Sequence, residues 1–367
     1  MPLSPPALSP SATDRQLLAA LPLTAKILRA WARGCSEIGT IDPGHGPAAA
    51  TLLAQNRMLG LTGDLLIQTV PTAPVIDIVQ GFRRLTAQMN GAGLLSMRRL
   101  MTAMRGLTDP VVVYKGVVLQ QHLYGTPFAR PASDIDILTR PSAYNTVSSH
   151  LQRAGYDLDR HTDTLWWRWF LAEQQFRDSA GSQTVDLHHR LQQPGCPMPR
   201  RTERLIACAS PTSFLGGEVL TFRDDHALLV AAMSVAKALH HREPAGRYVS
   251  DAERFLRRFS PEDWSRLDKE AIDMGLGRTL DLAVRCVDVV FATIPPGQRR
   301  DILPKVSDVA LRDMVLAPGQ ARWIRRRELL RALCDKPSDA ISAWMLMAAS
   351  ETARRASGAA PADEGTL

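Results

Sequence analysis

Apolar residues recur along this chain at two spacings, and the change from one to the other divides it. From Asp14 to about Gly106 they fall three and four apart, as at Leu17, Leu18, Leu21, Leu28 and Trp31, which is the helical period. Gly60, Pro71, Pro74 and the Gly91/Gly93 pair interrupt that run, so the segment predicts four or five helices. Across residues 107–199 the pattern shortens. Pro110–Tyr114 is β-branched and predicts a buried strand. Val117–Tyr124 suits a short helix closed by Gly125, and Asp134–Leu138 alternates acidic with apolar residues, as a half-buried strand does. A helix over Tyr144–Ala154 then stops at Gly155. Trp166–Arg177 and Thr184–Arg190 predict two antiparallel strands joined by a turn at Ser179–Ser182, and Pro194–Pro199 closes the segment. Over residues 219–355 the helical period returns. Asp224 and Asp225 head the first helix, and further helices are expected over Val249–Phe259, Pro261–Met274 and Arg278–Thr293. Residues 1–13, rich in Pro, Ser and Ala, and residues 356–367 are expected to be loose tails. The fold class is α+β: a small mixed-sheet domain between N-terminal and C-terminal helical regions.

Composition changes little in this picture. A hydrophobic content of 45% and a charged content of 22% fit a globular chain with a sizeable core. The formal charge of +7 suits contact with a polyanion such as a triphosphate, but it is too mild to point to nucleic acid. Five cysteines are scattered without a zinc spacing and are expected as reduced thiols in a cytoplasmic protein. No apolar run reaches the ~18 residues of a membrane span.

The chemistry gathers on two strands. Asp134 and Asp136 are two apart, so they project from one face, roughly 6–7 Å from each other, while Ile135 and Ile137 enter the core. Asp186 sits in a second alternating run, Thr184–His188. If the two strands are neighbours, three carboxylates converge. Hard oxygen ligands of this kind suit Mg²⁺ or Mn²⁺, the ions that accompany nucleoside triphosphates.

Lys115-Gly116, a short helix, Arg130, Asp134-x-Asp136 and Val185-Asp186-Leu187-His188, taken in this order, resemble an uncharacterised bacterial nucleotidyltransferase-like family within the DNA polymerase β-type superfamily. The predicted order β-α-β-α-β-β is that of the minimal fold of that superfamily. One departure is visible: the turn reads Lys115-Gly116-Val117, where the superfamily has two small residues. The resemblance implies transfer of a nucleoside monophosphate from a nucleoside triphosphate to an acceptor hydroxyl or phosphate, with loss of pyrophosphate. It implies Asp134, Asp136 and Asp186 as catalytic metal ligands, with Asp186 also helping to deprotonate the acceptor. Lys115, Gly116 and Arg130 would meet the phosphates, Gly116 by letting them approach the backbone at a helix start. The acceptor, whether small molecule, peptide or protein, stays open. So does an alternative in which the fold survives as a catalytically silent binding module of a peptide-modification or toxin–antitoxin pathway.

Other residues hold two readings. His188 shares the face of Asp186 and is either a nucleotide contact or a hydrogen-bond partner of an acid. Lys237, His240 and His241, with Asp251 beyond them, form either a lid touching nucleotide or a capped surface pair. The aromatic run Trp166–Phe170 either packs or stacks a base, and the basic run Arg322–Arg331 is either a solvated face or an anion surface.

Overall fold

Alternation along Asp134–Leu138 produces the strand it predicts, and that strand lies at the centre of a seven-stranded mixed sheet. The computed structural model describes residues 14–35, 38, 42–178 and 183–356. The tail expected at 1–13, the tail beyond Ala356 and the turn at Ser179–Ser182 lie outside these residues.

Four helices come first: α1 (Asp14–Arg33), α2 (Gly46–Gln55), α3 (Leu59–Thr69) and α4 (Ala73–Ala103). The mixed unit follows with β1 (Val112–Val113), α5 (Gly116–Tyr124), β2 (Asp134–Leu138), α6 (Tyr144–Arg153), β3 (Tyr156–Leu158), β4 (Glu173–Asp178), β5 (Thr184–His188), α7 (Thr202–Ala207), β6 (Ser210–Phe214) and β7 (Gly217–Thr221). Seven helices complete the chain: α8 (Asp224–His241), α9 (Gly246–Leu256), α10 (Pro261–Asp273), α11 (Gly277–Phe291), α12 (Asp308–Leu316), α13 (Arg326–Leu333) and α14 (Pro337–Ala356). The chain is α+β, as its patterning indicates.

Strand order is β3-β4-β5-β2-β1-β7-β6. β2 and β5 are parallel neighbours, with Asp136 opposite Asp186 and Leu138 opposite His188. β4 lies antiparallel on the far side of β5, setting Glu173 opposite His188. Ile135, Ile137, Val185 and Leu187 face one side, where they pack with Val147 and Leu151 of α6 and Met97 and Leu100 of α4. Leu138, Val112 and Tyr114 face the other side and join the core of the helical body. The acids of β2 and β5 share the parity of Leu138, so they point toward that body.

Four expectations change. Gly60 and the Gly91/Gly93 pair do not break helices. A Cβ at Gly60 would sit 2.1 Å from the Ala129 carbonyl, and one at Gly93 would sit 2.8 Å from Gln183, so these glycines permit close packing inside α3 and α4. Trp166–Arg177 is not one strand: Trp167–Leu171 is a π-helical turn, and Ala172 with φ 58° ends it before β4. Trp166 and Trp167 pack with Ala353 of α14, Trp166 Nε1 donates to Ser350 Oγ at 3.0 Å, and Trp169 stays exposed, so tertiary packing overrides β-propensity. The sheet does not close by residue 199 but continues through β6 and β7 to Thr221. Finally, the helical regions on either side form one core. Leu28 of α1, Leu53 of α2, Leu229 of α8 and Val287 of α11 belong to a single buried cluster, and Arg29 donates to the carbonyls of Val289 and Val290.

A buried polar network fixes the entry to β2. Asn90, midway along α4, accepts from Ala132 N at 2.8 Å and donates to the Arg130 carbonyl at 2.8 Å. Gln120 accepts from Arg130 N at 2.9 Å, and Gln183 donates to the Ala132 carbonyl at 2.7 Å. Three side chains, from α4, α5 and the residue before β5, thus hold residues 130–132, and with them the position of Asp134.

Candidate active site

β2 delivers its acids because its partner strands hold it rigid on both sides, and a strand keeps carboxylates at fixed spacing where a loop would not. Asp136 and Asp186 are buried, Asp134 half-buried, and all three lie on the face turned to the helical body. Around Asp136 the charges are matched. Lys115 Nζ donates to its Oδ1 at 3.2 Å, and His188 Nε2 lies 3.3 Å from the same oxygen, off-line for a hydrogen bond. Burial alone would raise this carboxyl, but Lys115 and His188 outweigh it and hold the group well below the usual carboxylate range. Lys115 stays firmly charged: burial pulls its ammonium down, and Asp136 more than reverses that.

Asp186 is in the opposite condition. Burial, then Glu173, Asp134 and Asp136, push its carboxyl well above the ordinary range. Its Oδ1 is buried without a hydrogen-bond partner. Asp134 is raised too, by burial and by Asp136, with Lys115, Arg57 and Arg247 pulling the other way. Buried acids that raise one another's pKa and leave an oxygen orphaned have unspent capacity for a cation. Among the described residues, no three His, Cys, Asp or Glu side chains already stand as a metal-binding set. The orphaned oxygen and the all-oxygen chemistry of the acids nevertheless fit Mg²⁺ or Mn²⁺, with Asp134, Asp136 and Asp186 as the residues that would hold it.

Gly116 opens α5 with φ +67°, a region L side chains rarely adopt, and a Cβ there would sit 3.3 Å from the Asp134 carbonyl. The glycine turn and the acid strand therefore touch through backbone. His188 sits between acids: its Nδ1 is 3.9 Å from Glu173 Oε2, and the Tyr114 ring meets it edge-on at 5.9 Å. His189 points to the opposite face, against Tyr144, with its ring nitrogen bonded to the Arg168 carbonyl.

Arg130 is engaged elsewhere. Its two terminal nitrogens donate to the two carboxylate oxygens of Asp251, each at 2.6 Å, and Tyr124 OH donates to the same carboxylate at 2.7 Å. Its guanidinium is held above its ordinary range because Asp251 overcomes the cost of burial. It clamps the strap before β2 to α9. Lys237 is half-buried on α8, and its charge is felt by Tyr248, Cys196 and Glu243.

Patterning gave no sign of Glu173, Tyr114, Arg57, Arg247 or Tyr248. Glu173 was hidden because the aromatic run before it masks the true start of β4. The others are brought in only by tertiary packing; Gly246, ahead of Arg247 and Tyr248, is the one local cue.

Paired strand acids thus stand beside a glycine turn on a mixed sheet. The family described as uncharacterised nucleotidyltransferase matches residues 47–292, more than half of the chain, and the chain belongs to it. Among solved structures it is similar to the antibiotic-resistance factor ANT(2'')-Ia, at 11% identity and a TM-score of 0.34, over 50% of this chain and 92% of that one. No curated protein matches it. Among the described residues, no helix is long and apolar enough to cross a membrane.

Proposed function

We propose that the chain moves a nucleoside monophosphate from a nucleoside triphosphate to an acceptor hydroxyl or phosphate, releasing pyrophosphate, on the acidic face of β2 and β5. Asp134, Asp136 and Asp186 would hold Mg²⁺ or Mn²⁺. A divalent ion bound there supplies positive charge against the triphosphate and acidifies the acceptor. The observation that supports this most is the orphaned, buried Oδ1 of Asp186 among three further carboxylates.

For a hydroxyl acceptor, Asp186 is the proton acceptor, taking the proton as the oxygen–Pα bond forms. The Pα–O bond to the β-phosphate breaks, and its electron pair leaves with pyrophosphate. Lys115 stays charged beside Asp136 and offsets negative charge where the phosphates approach Gly116. His188 steadies Asp136 from the other side. Arg130 serves by position, holding the strap to α9 so that Asp134 keeps its place. Most of the rate would come from such preset charges. The five cysteines are free thiols, and we place the reaction in the cytoplasm, where nucleoside triphosphates abound.

Incubation with each nucleoside triphosphate labelled at the α-phosphate, in cell extract with Mg²⁺, tests this. The wild type should label an acceptor and Asp136→Asn should not; equal labelling by both would end the proposal.

A further inference from the structure

Arg130 has the place in sequence for a phosphate contact, yet Asp251 occupies its fork. Other cations stand near the acids, and they come from the fused helical body. Asn56, at the end of α2, accepts from Gly246 N at 2.9 Å and donates to the Leu316 carbonyl at 2.7 Å. A Cβ at Gly246 would fall 2.6 Å from Asn56 Oδ1, so the end of α2 and the start of α9 are in direct contact. The residues that follow, Arg57 and Arg247, are thereby brought together.

Each is held in an unusual way. Arg57 has φ 54°, a conformation that costs an arginine more than glycine or asparagine, and its Nη1 reaches the Pro131 carbonyl on the strap into β2 at 3.4 Å. Arg247 lies in the first turn of α9, which has no acidic residue although a helix start favours anions. Its guanidinium stacks 4.4 Å from the Tyr248 ring centroid, and its Nε is buried without a partner. Burial pulls Arg57 down to about 10, with Arg247 adding to the effect. The Tyr248 phenol is lowered even though burial raises it, because Arg247, Lys115, Lys237 and Arg57 crowd it with positive charge. Half-buried cations thus crowd together beside Asp134, with Glu243 as an acid among them.

We propose that Arg57 and Arg247, together with Lys115, form an anchor for the polyphosphate chain of the nucleotide, so that the helical regions before and after the sheet jointly complete the site. The proposal rests on the nucleotide-transfer reading above, and it adds which residues take the β- and γ-phosphates. Arginine forks suit this task because they pair with phosphate oxygens in a fixed plane.

Calorimetry on the full chain, with Mg²⁺ and either nucleoside triphosphate or inorganic tripolyphosphate, separates the possibilities. Arg57→Gln and Arg247→Gln should each weaken both ligands about tenfold or more. Melting curves run alongside, since Arg57 also holds Pro131. Should Arg57→Gln not fold, Arg57→Lys gives the reading: it keeps the charge and loses the fork, and a loss of about threefold or more is expected. Unchanged affinity in variants of a wild type that binds nucleotide overturns the anchor and leaves the transferase reading standing. A wild type that binds tripolyphosphate but no nucleotide, with both variants weakened, supports the anchor and overturns the transferase reading. Binding of neither ligand overturns both.

Discussion

Two groups of buried charge lie on the same side of this sheet and are built on opposite terms. Where Arg130 meets Asp251, the side chains are 9% and 3% exposed, the fork is bidentate, and Tyr124 and Ser250 complete the shell. Of Asp134, Asp136 and Asp186, Asp136 has a cation within hydrogen-bond reach, while Asp186 keeps an oxygen with no partner. The first arrangement is closed and holds α5, α9 and the strap in register. The second is left open, and folding tolerates it only because the scaffold around it is over-determined. Buried charge is common to both groups; the unmatched carboxylate oxygen among neighbouring acids separates them.

The largest expected effect breaks the closed pair. Asp251→Ala leaves the Arg130 guanidinium buried and unpaired, and should cost about 3–5 kcal/mol in chemical denaturation. A loss below about 1 kcal/mol would mean that water already serves that pair. Next comes Asn90→Ala, which strands the Arg130 carbonyl and the Ala132 amide. It should cost about 1–3 kcal/mol and also weaken transfer, because the strap positions Asp134.

The open group should respond with the reverse sign. Asp186→Asn removes one of several repelling carboxylates, so it should abolish transfer while raising stability by about 1 kcal/mol. The pH dependence follows from the same acids. Asp134 and Asp186 have folded values raised above 3.8, so the folded chain keeps protons that the unfolded chain has released. From that ordinary value up through the raised ones, their share of the stability falls as pH rises. Asp136, shifted the other way, titrates below that window. Melting temperature should therefore drop with pH less in Asp186→Asn than in the wild type, and Mg²⁺ should raise it most at the alkaline end. Equal slopes in the two proteins would contradict this. Least is expected at the surface trio of His122, Asp224 and Arg258, where the side chains are about a third exposed. His122 lowers the Asp224 carboxyl, so the contribution is present above the ordinary carboxylate value and fades as pH falls. Asp224→Asn should change stability by less than about 1 kcal/mol.

What could be read from sequence was what is local. Asp134–Leu138 and the start of α8 at Asp224 follow from alternation and from acidic residues at a helix start, which act within a few residues. The Ser210–Thr221 hairpin did not announce itself, since Pro211 interrupts the first strand. Its turn, Leu215-Gly216, places both residues at positive φ, 51° and 78°, without the Asn-Gly signature. The long α4 was hidden because Gly91 and Gly93 look like breaks until Gln183 is seen packed on one of them. Glu173, Arg57 and Arg247 belong to the candidate site through contacts between distant segments, which periodicity does not carry. Arg130 stands out in the sequence as a phosphate contact, but sequence does not reveal that Asp251 takes its fork.

A divalent ion and a nucleotide are expected to bind the unbalanced acids together. Calorimetric titration of nucleoside triphosphate into the wild type and Asp186→Asn, each with Mg²⁺ and with EDTA, tests it most directly. The wild type should bind saturably only with Mg²⁺, and the variant at least about a hundredfold more weakly. Nucleotide binding that is the same in both proteins, or the same with EDTA, would contradict it.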